Sequence, residues 1–454
     1  MTDSDIQVFF TACANAGSPL GEADPKILPP AQVLPVPVPN WHQVAKLAKD
    51  CGLRWCAFWA SPHGEGYGAF CVLEKCGHYL VLQTHLEAGE SLPSQATVYP
   101  AAARPERHAH DLTGIVFSGA PDSRRWTRHQ AWDEQVFPLH PGFDASLAPQ
   151  GETAPDMEYP FARARGHGVV EIPVGPIHAG IIEPGHFRFQ AVGETVLNLE
   201  ERLGYTHKGI EKLARGRDPE ALARLAGRVS GDSTVSHSWA ACQAMERAMA
   251  LEVPPRALWL RAIMAERERL ANHLGDIGGI CNDVGFAFGQ AQLTRVKEHL
   301  VRTNHRIFGH RFMMDCVIPG GVSCDIDSGQ IKALIQEAQW LGRETAEIVA
   351  MLEHSESLED RLMTSGRLTP EQADMLGAVG YVGRASGRGF DVRRDTPYAP
   401  YDGFEVTVPV YRAGDVAARA RIRADEIGTS TALLRQLLQS LPEGSVRQAL
   451  PAVT

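Results

Sequence analysis

Read for hydrophobic and polar positions, the chain changes period near its middle. Short apolar runs at Trp55 to Trp59, Gly68 to Leu73 and Tyr79 to Thr84 have strand length and are separated by glycine and charge. With the helical-looking stretch His42 to Cys51 they predict a small α/β domain reaching to about residue 145. Residues 28 to 40 are too rich in proline for a helix or a central strand and read as an extended lead-in. Leu147 to Asp156 has linker composition. Beyond it a strand-like Gly168 to Val174 gives way to long segments of helical period. Asp218-Pro219-Glu220 supplies an N-cap, a proline at the first helical position and an acidic first turn, and Thr369-Pro370-Glu371 repeats the signal. Pro254-Pro255 divides a helical Ala221 to Leu251 from Arg256 to Leu274, where Leu260, Ile263, Met264, Leu270 and Leu274 fall on one face. Ile331 to Leu352 and Val416 to Leu441 also read as amphipathic helices. The fold class expected is α+β: domain 1–146, a linker at 147–160, and a mainly helical domain at 161–454.

Composition narrows the function classes. The 454 residues carry a formal charge of -10, so no basic footprint points to nucleic acid as a partner. No export signal is readable at the N-terminus, and no apolar stretch is long enough to span a bilayer, so a cytosolic chain with membrane contact only through partners is expected. Nine scattered cysteines argue against a disulfide framework. Cys51 to Cys56 and Cys71 to Cys76 share one spacing, which suggests a metal; without any Cys-x-x-Cys, buried small thiols are the preferred reading.

The loop Gly175 to Phe189 gathers His178, Glu183, His186 and Arg188, residue types that move protons near neutral pH or simply form a solvated surface. Together with Leu203-Gly204-Tyr205-Thr206-His207-Lys208-Gly209-Ile210-Glu211-Lys212, the stretch Arg261 to Leu274 and Ala385-Ser386-Gly387 through Asp391-Val392-Arg393-Arg394, this loop resembles the large subunits of energy-converting nickel-iron hydrogenases and the quinone-site large subunit of complex I. Glu106 to Phe117 resembles the small cytoplasmic partner of that subunit. Fusion of the two is typical of the hydrogenase-3 and hydrogenase-4 branch.

The departures from the family decide the chemistry. Where the nickel-iron motif has two cysteines, Arg228-Val229-Ser230-Gly231-Asp232-Ser233-Thr234-Val235-Ser236-His237 has Ser230 and Ser233. Serine hydroxyls are hard and protonated at neutral pH, whereas a soft low-valent centre needs thiolates. No cysteine follows Cys324, so the second ligand pair is not expected within these 454 residues either. The complex I resemblance implies a quinone or other small acceptor in the vacated cavity. Its quinone-binding tyrosine, however, aligns at Gly231, and its histidine donor falls ambiguously near Glu183 or His186. Asp283 matches the aspartate that supports that donor, and Glu183 the glutamate that relays protons in hydrogenases.

The resemblance therefore implies His178, Glu183, His186 and Asp283 as proton-transfer groups. It implies Ser230, Ser233, His237, Asp391 and Arg393 as the lining of an acceptor cavity, with no metal held by this chain. The implied partners are an iron-sulfur small subunit and antiporter-like membrane subunits, and the implied location is the inner face of the membrane. Glu266, Arg269 and His273 lie at helical spacing and read equally as a buried ion-pair cluster; Asp391, Arg393 and Arg394 read equally as a solvated loop; Tyr205 and His207 read as packing or capping residues. A true hydrogenase subunit and a structural assembly subunit are the rival readings.

Overall fold

A computed structural model describes residues 4–18, 20–21, 31–129, 136–144, 146, 159–180 and 182–451. Most of the expected linker lies outside them. The chain forms two compact units, Met1–Lys212 with Met375–Gly377, and Leu213–Asp374 with Ala378–Thr454.

The first unit opens with helix α1 (Ser4–Asn15), strand β1 (Ala31–Pro35), helix α2 (Trp41–Asp50) and strands β2 (Arg54–His63), β3 (Gly66–Lys75) and β4 (His78–Leu86). The sheet order is β1-β4-β3-β2, with β1 parallel to β4 and the other pairs antiparallel. The proline-rich lead-in thus supplies an edge strand, the one position in a sheet where prolines cost few ladder bonds. Helix α2 turns Trp41, Val44, Ala45 and Ala48 inward at the i, i+3, i+4, i+7 spacing, onto a core with Leu73 and Leu82. Between β3 and β4 the two turn residues Cys76 (φ 52°) and Gly77 (φ 86°) both have positive φ, the condition for a hairpin turn whose twist matches its strands.

This places Cys76 at an exposed turn while Cys71 is buried in β3, where burial pushes its thiol far up. Among the described residues no group of three cysteines is close enough to share a metal.

Strands β5 (Leu92–Pro93) and β6 (Phe117–Ser118) flank helix α3 (Ala103–Thr113). On α3 the buried Glu106 accepts from Ser94 Oγ (2.6 Å) and Gln95 N (2.7 Å), with no ion-pair partner among the described residues, and burial pushes its pKa up to about 7. A carboxyl raised on folding stabilises the fold fully below its ordinary 4.5, and that contribution is lost as pH rises through about 7. Urea unfolding on either side of that window is expected to show a loss on the order of 3 kcal/mol that disappears in Glu106→Gln. An unchanged pH slope in the variant contradicts this.

Strands β7 (Val169–Val174), β8 (His186–Val192) and β9 (Thr195–Arg202) form an antiparallel sheet, followed by the short helix α4 (Ile210–Ala214).

The second unit is helical: α5 (Pro219–Ala226), α6 (Thr234–Ala248), α7 (Pro255–Asp283), α8 (Ala287–Phe308), the two-residue strands β10 (Val317–Ile318) and β11 (Gly321–Val322), then α9 (Ser328–Glu353), α10 (Glu356–Leu362), α11 (Pro370–Met375), α12 (Gly380–Ala385), α13 (Val392–Asp395) and α14 (Val416–Gln439). Asp218 caps α5 by accepting from Ala221 N at 2.7 Å, as its sequence position predicts. The helical stretch expected from Ala221 to Leu251 is broken. It stops at Ala226 and resumes at Thr234, and the close packing at Gly227, where a side chain would lie 2.6 and 2.8 Å from Ser238 Oγ and Thr234 Oγ1, admits only glycine. Helix α7 packs against α6, α8 and α14 and is buried on nearly all sides, yet it carries Arg261, Glu266, Arg267, Glu268 and His273 inward. Buried charge of this density requires partners. No helix among the described residues is long and apolar enough to cross a membrane.

Candidate functional site

The first unit holds the proton-transfer candidates Glu183, His178 and His186. Glu183 is exposed and accepts from Thr206 Oγ1 at 2.7 Å, which ties the Gly175 to Phe189 loop to the turn after β9. His186, at the start of β8, lies 3.2 Å through Nδ1 from Gly175 O and receives Arg188 Nε on Nε2 at 3.2 Å. His178 Nδ1 accepts from Gly180 N at 3.1 Å, while its buried Nε2 has no hydrogen-bond partner among the described residues.

A cavity of about 410 Å³ opens in the same unit, walled by Arg128, Tyr205, His207, Lys208, Glu211 and Lys212 among others. On its edge His108 Nε2 and Glu211 Oε1 are 3.3 Å apart, and His207 Nε2 and Glu211 Oε2 are 3.9 Å apart. The hydrogen bond from His108 holds the Glu211 carboxyl down to about 2, and burial lowers the pKa of His207. Nothing in the sequence marks this cluster, because His108 stands about a hundred residues from its two companions.

In the second unit the altered motif forms a tight entry to α6. Ser230 is in extended conformation and donates to Asp232 Oδ1 at 2.7 Å; Ser233 holds the N-cap position of α6 without making a capping bond. The cap comes instead from Glu268 on α7, whose carboxylate takes Val235 N (2.6 Å), Ser236 N (3.0 Å) and Ser236 Oγ (2.6 Å). Burial nonetheless raises the pKa of Glu268. His237, one turn into α6, is half-buried, and burial lowers its pKa. The donors at Ser230 and Ser233 are hydroxyls, and Ser230 already spends its proton on Asp232. A soft nickel-iron centre does not fit them. Asp283 sits exposed at the last residue of α7.

Asp391 and Arg393 are buried rather than solvated. Arg393 forks onto Asp391 through Nε (3.0 Å) and Nη2 (2.8 Å) and onto both Glu266 oxygens through Nη1 (2.9 and 3.0 Å). Glu266 also accepts from Tyr401 Oη (2.8 Å) and Ser430 Oγ (2.6 Å), and Arg269 approaches it at 3.5 Å. Arg384 continues the chain from Asp391 (3.6 Å) to Glu426 (2.5 Å), which meets His273 Nε2 at 2.8 Å, with Arg423 on the other ring nitrogen at 3.1 Å.

Burial alone would raise all three carboxyls. Arg393 and Arg269 nevertheless hold Glu266 below its ordinary value, Arg393 does the same for Asp391, and His273 and Arg384 bring Glu426 down to about 2. Of this network the sequence supplies Glu266, Arg269, His273, Asp391 and Arg393; Arg384, Tyr401, Glu426 and Ser430 emerge only from the fold.

Against known proteins, the chain matches the family model of the respiratory-chain NADH dehydrogenase 30 Kd subunit over residues 34–147, that of the nickel-dependent hydrogenases over 208–275, and that of the 49 Kd subunit over 283–454. It is 33% identical over 387 residues to formate hydrogenlyase subunit 5 of Escherichia coli, covering 83% of this chain and 68% of that one. It is also 33% identical to hydrogenase-4 component G of the same organism, covering 82% and 64%. To the fused C/D polypeptide of the NADH-quinone oxidoreductase of Phocaeicola vulgatus it is 30% identical, covering 86% and 78%. The chain belongs to the large-subunit family shared by complex-I-type NADH-quinone oxidoreductases and hydrogenase-3 and hydrogenase-4 complexes, in the branch that joins the 30-kDa-like and 49-kDa-like domains on one polypeptide. It is a subunit of the complex-I-like or hydrogenase-related oxidoreductase type. It spans about two thirds of the two hydrogenase-type relatives.

Proposed function

We propose that this chain serves a membrane-associated redox complex by passing electrons from an iron-sulfur cluster on a neighbouring small subunit to a quinone or another small acceptor, without activating hydrogen. The observation that carries this reading is a family scaffold kept in order by its own charge network while both ligand positions of the first metal motif are serines, one of them hydrogen-bonded to Asp232. Beside that motif, Thr234 Oγ1 and Trp239 Nε1 are buried polar atoms without partners among the described residues, suited to an acceptor's oxygens or to water. Ser230, Ser233 and His237 are the residues assigned to the acceptor in the second unit; Asp391 and Arg393, assigned there by the resemblance, are engaged with each other and with Glu266.

Reduction of such an acceptor consumes protons. Glu183 and Asp283, both exposed, and the half-buried His178 and His186 are the groups this reading assigns to exchanging them with solvent. Antiporter-like subunits would hold the complex to the inner membrane face.

The test is purification of a tagged chain from its native host, with identification of its companions and metal analysis. Recovery with a small iron-sulfur protein, cluster signals in electron paramagnetic resonance and only trace nickel is expected. Nickel approaching equimolarity with the chain, or a stable chain with no iron-sulfur companion, overturns the reading.

A further inference from the structure

We propose that His108, His207 and Glu211 form a binding site for one zinc-class divalent cation in the first unit, with its remaining coordination position open to the adjoining cavity. The inference is independent of the redox reading, since it concerns a different unit and different residues.

The donor atoms of the three side chains all lie within 4.8 Å of one another. Four-coordinate zinc with bonds of about 2.0–2.1 Å holds its donors roughly 3.3 Å apart. The pair His108 Nε2 and Glu211 Oε1 is already at 3.3 Å, and His207 Nε2 stands 3.9 Å from the carboxylate's other oxygen, Oε2, so its ring has to turn inward to share the ion, a displacement available to a side chain in a surface turn. His108 is also oriented from behind, its Nδ1 lying 2.6 Å from Thr127 Oγ1, so a cation that displaces the Nε2 proton finds that nitrogen already held beside the carboxylate. His207 Nδ1 takes Gly209 N–H at 3.3 Å, so its proton resides on Nε2 in the free chain. Binding at Nε2 moves that proton to Nδ1, at the loss of one long contact.

Donor chemistry selects the cation. Two imidazoles and one carboxylate suit zinc, cobalt or nickel, whereas magnesium and calcium demand mostly oxygen ligands, and only one carboxylate is present. Three protein ligands with an open fourth place is the arrangement of exchangeable rather than closed structural sites. The cavity of about 410 Å³ supplies the room, and Arg128, Lys208 and Lys212 in its wall favour an anionic or hydroxide ligand there. Because His108 lies on α3 and its companions follow β9, the ion would also staple two distant stretches of the first unit together.

The test uses the full chain stripped with a chelator, titrated with zinc by calorimetry and with cobalt by absorption spectroscopy. Saturation at one zinc per chain is expected, with cobalt giving visible d–d bands and no thiolate-to-cobalt charge transfer. Affinity should fall roughly tenfold or more in His207→Ala and in Glu211→Gln. His207 sits in a surface turn, so its variant keeps the fold, which circular dichroism verifies; Glu211→Asp should retain part of the affinity. Absence of saturable binding, equal affinity in the variants, or a charge-transfer band assigning the ion to cysteine overturns the proposal.

Discussion

Glu266→Gln is expected to lower the stability of the helical unit by about 3 kcal/mol, the low end of the cost of breaking a buried ion pair, because Arg393 keeps Asp391 as a counter-charge. The amide keeps one acceptor for Tyr401 or Ser430 but cannot balance Arg393, which is 2% exposed at its side chain and also carries Asp391. Arg393 then faces one carboxylate where it faced two. Hydrogen exchange is the suitable measurement, because two compact units need not unfold as one: protection should fall in the amides of α7, α13 and α14 and stay unchanged in β2 to β4. Loss of protection below about 1 kcal/mol would show that Asp391 alone satisfies the arginine.

A second buried pair should respond as strongly and offers a cleaner contrast. Arg261 is fully buried and forks onto Glu246 at 3.0 and 2.6 Å, while also donating to Gly321 O and Ile318 O; Glu246 in turn receives Gly320 N. Arg261→Met is expected to cost about 3–5 kcal/mol, since Glu246 stays buried with a single backbone donor. Adding Glu246→Leu should recover a large part of that loss, because two apolar side chains of similar volume leave no buried charge behind. Urea unfolding of the two variants decides it. A double variant as unstable as the single one would mean that the backbone contacts to Gly321 and Ile318, rather than the charge pair, carry the stability.

Local signals are well expressed in the sequence. The β2, β3 and β4 strands follow from short apolar runs, α5 from Asp218-Pro219-Glu220, and the start of α7 from Pro254-Pro255. β1 is readable only as extended, because prolines describe a backbone preference and not a pairing partner. The interruption between Ala226 and Thr234 is hidden: helical period continues across it, and the close approach of Gly227 to Thr234 and Ser238 is a contact that periodicity does not encode. The charged residues of α7 and the Asp391 to Arg394 loop are visible as two alternatives each, and burial decides between them. Their partners Arg384 and Glu426 are not visible at all, since Glu426 stands 153 positions from His273. Likewise His207 reads as a packing residue, and only the fold brings His108 beside it.

The cap that Glu268 places on α6 has a bearing on how this family could change its chemistry. Two backbone bonds at Val235 and Ser236, and a third through Ser236 Oγ, tie the chain directly after the two serines to Glu268 on a neighbouring helix. The shape of that entry is therefore held by bonds within the polypeptide itself. Side chains at positions 230 and 233 can be exchanged, hard for soft, on a pedestal whose Glu268 bonds do not run through them.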